Sequence, residues 1–188
     1  MNKEELFKAI EELEKALEAK KSEIERLEKQ ERLKNYADVK AGETFIYKEH
    51  EYTKLRNGRA IIDDYDSDFM DCLFDNVNND YDESIIRHYI NTNKFLQFLG
   101  LCYCDFANND AVDCCKLLSK EEYEKNKDII KKFDNWWWLR SGHYYNSNYA
   151  YYVNSYGDVN NCSVDYSGSN VRPSFNFHDD IEVEVINE

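Results

Sequence analysis

The sequence predicts an α+β domain carried behind an N-terminal coiled-coil helix, and three patterns predict it. Leu6, Ile10, Leu13, Leu17, Ile24 and Leu27 recur at 4-3-4 spacing, interrupted at Lys20, through residues 1–36, which contain no Gly or Pro. Beyond residue 36 the helical period gives way to short alternating segments, Phe45/Tyr47 and Tyr52/Leu55 at the start and Ile181–Ile186 at the end. Two further stretches, Glu83–Leu99 and the run after Ser119, return to helical or near-helical spacing.

The helix justifies itself first. Ile10, Leu17 and Ile24 fall at heptad a positions, and Leu6, Leu13 and Leu27 at d. Glu11–Lys15 and Glu25–Lys29 sit at i, i+4 on the outside. Ile at a with Leu at d favours a two-stranded parallel coil. Ala9 and Ala16 widen the apolar stripe, and Glu23 and Glu28 would face each other across such a pair, so three or four strands stay open. A lone helix folded back on its own domain is the alternative. The reading adopted is a self-association stalk, a homo-oligomer whose several weak binding faces gain avidity.

Charge narrows the partners. The net charge is −14 over 188 residues; residues 1–36 hold 10 acids and 9 bases, which leaves −13 on the remainder. Such a surface repels phosphate backbones and anionic lipid, which speaks against nucleic acid and membrane surfaces. No apolar run approaches the ~20 residues of a membrane span, and the charged start of the chain shows no signal peptide. The expectation is synthesis in the cytoplasm, with six cysteines kept as thiols.

After a connector at Asn35–Gly42, strands are expected at Glu43–His50 and Glu51–Leu55. An Asn57-Gly58 turn follows, then a return strand at Arg59–Asp63. Asp63–Asp82 is the most acidic stretch, and it reads as a solvated loop: Asp64, Asp66 and Asp68 lack the Gly and the distal Glu of a calcium loop. Cys102, Cys104, Cys114 and Cys115 lack the C-x₂₋₄-C spacing of a zinc site. Cys102 and Cys104 are expected on one face of a strand, as small buried groups. Ser119 with Glu122 forms a capping box for a helix whose apolar side is Tyr123, Ile129, Ile130 and Phe133, ending near Asp134-Asn135. Trp136, Trp137 and Trp138 are assigned mainly to the core. Arg140 and Arg172 are assigned structural roles, paired with a carboxylate.

The most informative stretch is His143–Asn170. Tyr, Asn and Ser dominate it, Asp158 and Asp165 are its only charges, and Lys, Glu, Gln, Met and Trp are absent. Tyr supplies large rigid contact area, while Ser, Gly and Asn adapt their hydrogen bonds, as in antibody loops. Ala150, Val153, Val159 and Val164 would pin the backbone to the core, with Gly157 and Gly168 at turns. The expected ligand-binding surface is His143, Tyr144, Tyr145, Asn146, Asn148, Tyr149, Tyr151, Tyr152, Asn154, Tyr156, Asp158, Asn160, Asn161, Ser163, Asp165 and Tyr166. It would take a protein or cell-surface ligand.

Every residue of that stretch can be encoded by a codon ending in a pyrimidine, which the five missing types cannot. Replacing adenines in AAY codons visits Asn, Ser, Tyr, Asp, His, Cys and Gly. The segment therefore resembles the variable region of a diversity-generating retroelement target protein. Its frame, Trp137-Trp138-Leu139-Arg140-Ser141, Ala150, Val153, Gly157 and Val171-Arg172-Pro173, resembles a prokaryotic domain family with a C-type-lectin-like fold, shared with formylglycine-generating enzymes. The resemblance implies two helices with small antiparallel sheets, a strand pairing between the two ends of the domain, and a phage-particle or host-cell-surface setting. Ile181–Ile186 would supply the closing strand.

No catalytic constellation is visible: His50, His88, His143 and His178 are scattered, and no cysteine matches a reactive pair, so no metal or cofactor is expected. The alternatives carried are a formylglycine-generating-type modifying enzyme and a non-diversified structural subunit of a phage particle.

Overall fold

The computed structural model describes residues 2–64, 71–107 and 114–186. It is mixed α and β, with a helix at the N-terminus and antiparallel sheets after it. The chain divides into two units at Leu33/Lys34.

The first unit is helix α1, Lys3–Arg32. Thirty residues at 1.5 Å each give a rod of roughly 45 Å. Lys15 reaches Glu11 at 3.2 Å and Lys20 reaches Glu23 at 2.7 Å on its outside. Leu6, Ile10, Leu13, Leu17, Ile24 and Leu27 are all exposed along it, as is Phe7. The helix stops four residues short of the expected residue 36. Leu33–Asn35 form strand β1 instead, and Tyr36 is claimed by the core of the second unit. The Tyr36 N–H donates to the Ile181 carbonyl at 2.9 Å and its hydroxyl donates to the Gly58 carbonyl at 2.6 Å.

The second unit is built on a seven-stranded sheet. Its strands are β1, β2 (Thr44–Tyr47), β3 (His50–Lys54), β4 (Ala60–Ile62), β5 (Cys115–Lys116), β9 (Ser174–Phe175) and β10 (Glu182–Ile186), in the order β1-β10-β2-β3-β4-β9-β5. The last strand pairs antiparallel with β2, Val185 opposite Phe45, so the two ends of the domain meet as expected. Alternation sends Phe45, Tyr52, Phe175 and Phe177 to one buried aromatic cluster, where Tyr52 and Phe177 meet edge to face at 5.2 Å. Such pairs contribute about 0.5–1.5 kcal/mol beyond their buried area.

Strands β2 and β3 are joined by a two-residue turn, Lys48-Glu49, with both residues at positive φ, 51° and 69°. Neither residue type advertises such a turn, so the sequence did not mark it; cross-strand pairing of Phe45 with Tyr52 holds it in place.

Glu83–Leu99 is two short helices, α2 (Ile85–Ile90) and α3 (Asn93–Phe98), rather than one. Ser84 caps the first and Thr92 the second, each hydroxyl accepting a backbone N–H. A capping residue at 92 starts a second helix where the first has ended. Helix α4, Lys120–Asn126, has the expected capping box between Ser119 and Glu122. It ends well before Asp134. The Asn126 amide donates to the Glu122 carbonyl at 2.7 Å while its oxygen accepts the Arg56 N–H at 2.9 Å, which ties off the last turn.

Two further expectations are corrected. Cys102 and Cys104 are not buried thiols on a strand. The Asp105 carboxylate accepts the Cys102 N–H at 2.7 Å and curls Tyr103–Asp105 into a 3₁₀ turn, which leaves both cysteines exposed and joined as a disulfide. Cys72, Cys114, Cys115 and Cys162 take part in no disulfide among the described residues. Nor is the acidic stretch simply a solvated loop. Asp63 is buried, pairs with Arg172 at 2.6 Å and accepts the Thr53 hydroxyl at 2.6 Å. Asp64 accepts the Glu51 N–H and lies 3.0 Å from the His50 ring. Asp66 and Asp68 lie outside the described residues.

Candidate ligand-binding surface

The Tyr/Asn/Ser-rich stretch is organised by a second sheet of three antiparallel strands, β6 (Trp137–Gly142), β7 (Tyr149–Val153) and β8 (Val159–Ser163), with β7 in the middle. Both faces of this sheet are packed. Trp138, Ala150 and Tyr152 join the main core, with Cys162 against it. Trp137, Leu139 and Val153 join a second cluster with Leu118, Tyr123 and Phe133, and Tyr151 and Val159 pack on that side. The Trp138 indole N–H donates to the Cys72 carbonyl at 3.0 Å, so its one polar atom is satisfied.

Trp136 lies outside this arrangement. It is 38% exposed and stacks on Tyr152 with ring centroids 4.8 Å apart. The assignment of the tryptophans to the core thus holds for Trp137 and Trp138, on opposite faces. Arg140 pairs with Glu122 at 2.9 Å and Arg172 with Asp63, the structural roles expected of both. The Arg172 guanidinium also donates to the carbonyls of Ile62 and Lys131. Burial pushes the Asp63 pKa up and the Arg172 pKa down.

With both faces occupied, the side chains left to solvent come from loops, turns, the first residue of β7 and strand β8, whose outer edge is unpaired among the described residues. Tyr144 and Tyr145, 87% and 88% exposed, stand in the β6–β7 loop with Asn146 and Asn148. Tyr156, 81% exposed, and Asp158 stand in the β7–β8 turn, at the other end of β7. Five strand residues put those two ends roughly 17 Å apart. Asn160 and Asn161 line edge strand β8, and Asp165 and Tyr166 follow it, all exposed. Tyr149 is exposed at the start of β7, and His143, Tyr151 and Ser163 are half-buried.

One expected contact residue is misassigned. Tyr152 is 8% exposed, pointing inward opposite Asn160, because the alternation that turns Tyr151 toward one cluster turns Tyr152 toward the other. Others serve the backbone of their own loops. The Asn154 amide oxygen accepts the N–H groups of Tyr156 and Asp158, and that of Asn146 accepts the N–H of Asn148. The Ser163 hydroxyl donates to Asp165. Tyr151 carries the Lys120 ammonium over its ring at 4.4 Å. Among the described residues, the buried Nδ1 of His143 has no hydrogen-bond partner.

Two residues outside the expected set position the loops. The Asn79 amide lies within hydrogen-bond distance of three carbonyls of the β6–β7 loop, those of His143, Asn146 and Tyr149, at 3.1, 3.1 and 2.8 Å. Gly142 makes room for it: a Cβ there would come within 3 Å of the Asn79 amide and carbonyl. At the other end, the Tyr123 hydroxyl donates to the Gly157 carbonyl at 2.8 Å, and Gly157 sits at φ +86°. Nothing local in the sequence ties Asn79 to residues more than sixty positions away. Gly142, at the end of β6, is the only hint.

Residues 104–178 match the model of a family described as a domain of unknown function (DUF6273). The match takes in β5 to β9, and with them the whole Tyr/Asn/Ser-rich stretch, though it covers less than half of the chain. No curated protein matches this sequence, and no solved structure matches it.

Proposed function

We propose that this chain is a non-catalytic ligand-binding protein. Its contact surface would be the loops and free edge of the three-stranded sheet, varied by a retroelement on a constant C-type-lectin-like frame. The observation that carries this reading is a division of labour within residues 143–170. The aliphatic residues of the stretch are buried or packed against the core, while its outward side chains are almost all Tyr, Asn, Ser and Asp. Exchange of such outward groups changes recognition at small cost in stability. The closing strand beside β2, the short capped helices and the separate small sheet are the features that favour the lectin-like assignment.

The reading is tested at the gene. A near-copy of the codons for residues 143–170, differing at template adenines, should lie nearby with a reverse transcriptase gene. A locus with neither rejects diversification.

The exposed apolar stripe on α1 supports the second part of the proposal, self-association through that helix. Six exposed Leu and Ile side chains at a and d positions are what a coiled coil buries. Light scattering on the full chain should give a mass of two or more chains, and Leu13→Glu with Leu17→Glu should give one. A wild-type monomer rejects the stalk.

A further inference from the structure

A cleft of about 250 Å³ opens between the segment after α4, Lys127–Phe133, and the β7–β8 turn. Its charge runs against the rest of the protein. The chain has 38 acidic and 24 basic residues, yet none of the described residues lining this cleft is acidic, and four are cations: Lys127, Lys131, Lys132 and Arg172. Arg172 lies at its base with its guanidinium 4.8 Å from the Phe133 ring and 5.3 Å from the Trp137 ring. Ile130 and Val153 add apolar wall, and the exposed Tyr156 forms the lip.

The cations are not equivalent. Arg172 is matched by buried Asp63 at 2.6 Å. Lys127 reaches Glu124 at 2.7 Å and Lys131 reaches Glu51 at 3.2 Å, in pairs that are partly exposed. Pairs of that kind are weak and give way to a better-placed anion. Glu124 first, and Asp158 more distantly, raise the Lys127 pKa, so its ammonium stays charged through neutral pH. Lys132 is exposed at the rim.

Size and wall chemistry choose among anions. Pockets for drug-sized ligands begin near roughly 300 Å³, so this cleft suits a single ring. A bare phosphate would use the amines and leave Ile130, Val153 and Tyr156 without contacts. A carboxylated ring places its charge at the lysines and its C–H faces against those apolar groups. We propose that the cleft binds a ring-bearing carboxylate of monosaccharide size, an acidic sugar being the model compound. This site takes its charged contacts, Lys127 and Lys132, from outside residues 143–170 and its wall, Val153 and Tyr156, from inside them, so a failure at the two lysines leaves the proposed variable surface standing.

Saturation-transfer NMR on the full chain tests it. Glucuronate should show ring-proton signals at millimolar concentration, glucose under the same conditions at most a tenth as strong. Lys127→Gln with Lys132→Gln should weaken glucuronate binding at least tenfold, while Lys15→Gln with Lys21→Gln on α1 should leave it unchanged. An unchanged melting temperature would show the cleft variant folded. Equal signals from glucose, no loss in the cleft variant, or full displacement of glucuronate by equimolar inorganic phosphate would each overturn the proposal.

Discussion

Tyr152 and Tyr156 stand four residues apart in one stretch of even composition, and their surroundings are opposite. Tyr152 is 8% exposed, stacked on Trp136 and edge-on to Trp138 at 6.3 Å. Tyr156 is 81% exposed in a turn. The difference comes from register. The middle strand of a sheet packed on both faces has little outside to offer, so exposed side chains concentrate at its two ends and on the neighbouring edge strand. A composition rich in Tyr, Asn and Ser therefore marks a segment, while strand pairing decides which members of it can touch a ligand.

The sharpest ways to break this comparison act on the frame. Arg172→Met should be the most damaging change, by about 3–5 kcal/mol, because it leaves the buried Asp63 carboxyl without its cation. Chemical denaturation should show the loss, with the exposed loops as far from native as the core. Tyr152→Ala comes next, at about 3 kcal/mol, since it opens a cavity under Trp136. Were Tyr152→Ala nearly neutral, the ring would belong to the surface and the comparison would fail.

Much of the frame was legible because it rests on local patterns. The α1 heptads, the Ser119–Glu122 box, the Asn57-Gly58 turn and the closing strand at Glu182–Ile186 each announce themselves within a few residues. What escaped depends on tertiary contact. Thr92 restarts a helix that apolar spacing alone would continue, and the turn at Lys48-Glu49 is imposed by its strands. The Cys102–Cys104 bridge follows from a turn held by Asp105, which spacing counted as strand. For the proposed binding surface, the exposed loop tyrosines were readable from composition. Tyr152 was not, because alternation predicts an inward face only once the sheet is known to be covered on both sides.

Smaller effects sharpen the contrast between frame and loops. Asn79→Ala should cost about 1–2 kcal/mol by removing the amide that serves three loop carbonyls. Its distinctive readout is hydrogen exchange: amides of residues 143–149 should exchange faster, while those of Trp137 and Trp138 stay protected. Uniform loss of protection would mean that Asn79 belongs to the frame. At the other hairpin, Lys48→Asn with Glu49→Gly should stabilise by about 1 kcal/mol, because these residues accept positive φ with less strain.

The smallest expected effect carries the most information. Tyr156→Ala should leave stability within about 0.5 kcal/mol, since an exposed ring in a turn loses little on truncation. For a domain of this size that is a melting shift of no more than about 2 °C. The turn it sits in is held by other groups: the Asn154 oxygen, the Tyr123 hydroxyl and the backbone of Gly157. Freedom at position 156 with rigidity on both sides is what a contact residue requires, because the loop keeps its shape when the side chain is exchanged. A melting drop of several degrees would mean that the ring supports the turn. The β7–β8 end would then be frame, and only the loop carrying Tyr144 and Tyr145, with the free edge beside it, could vary without unfolding the domain.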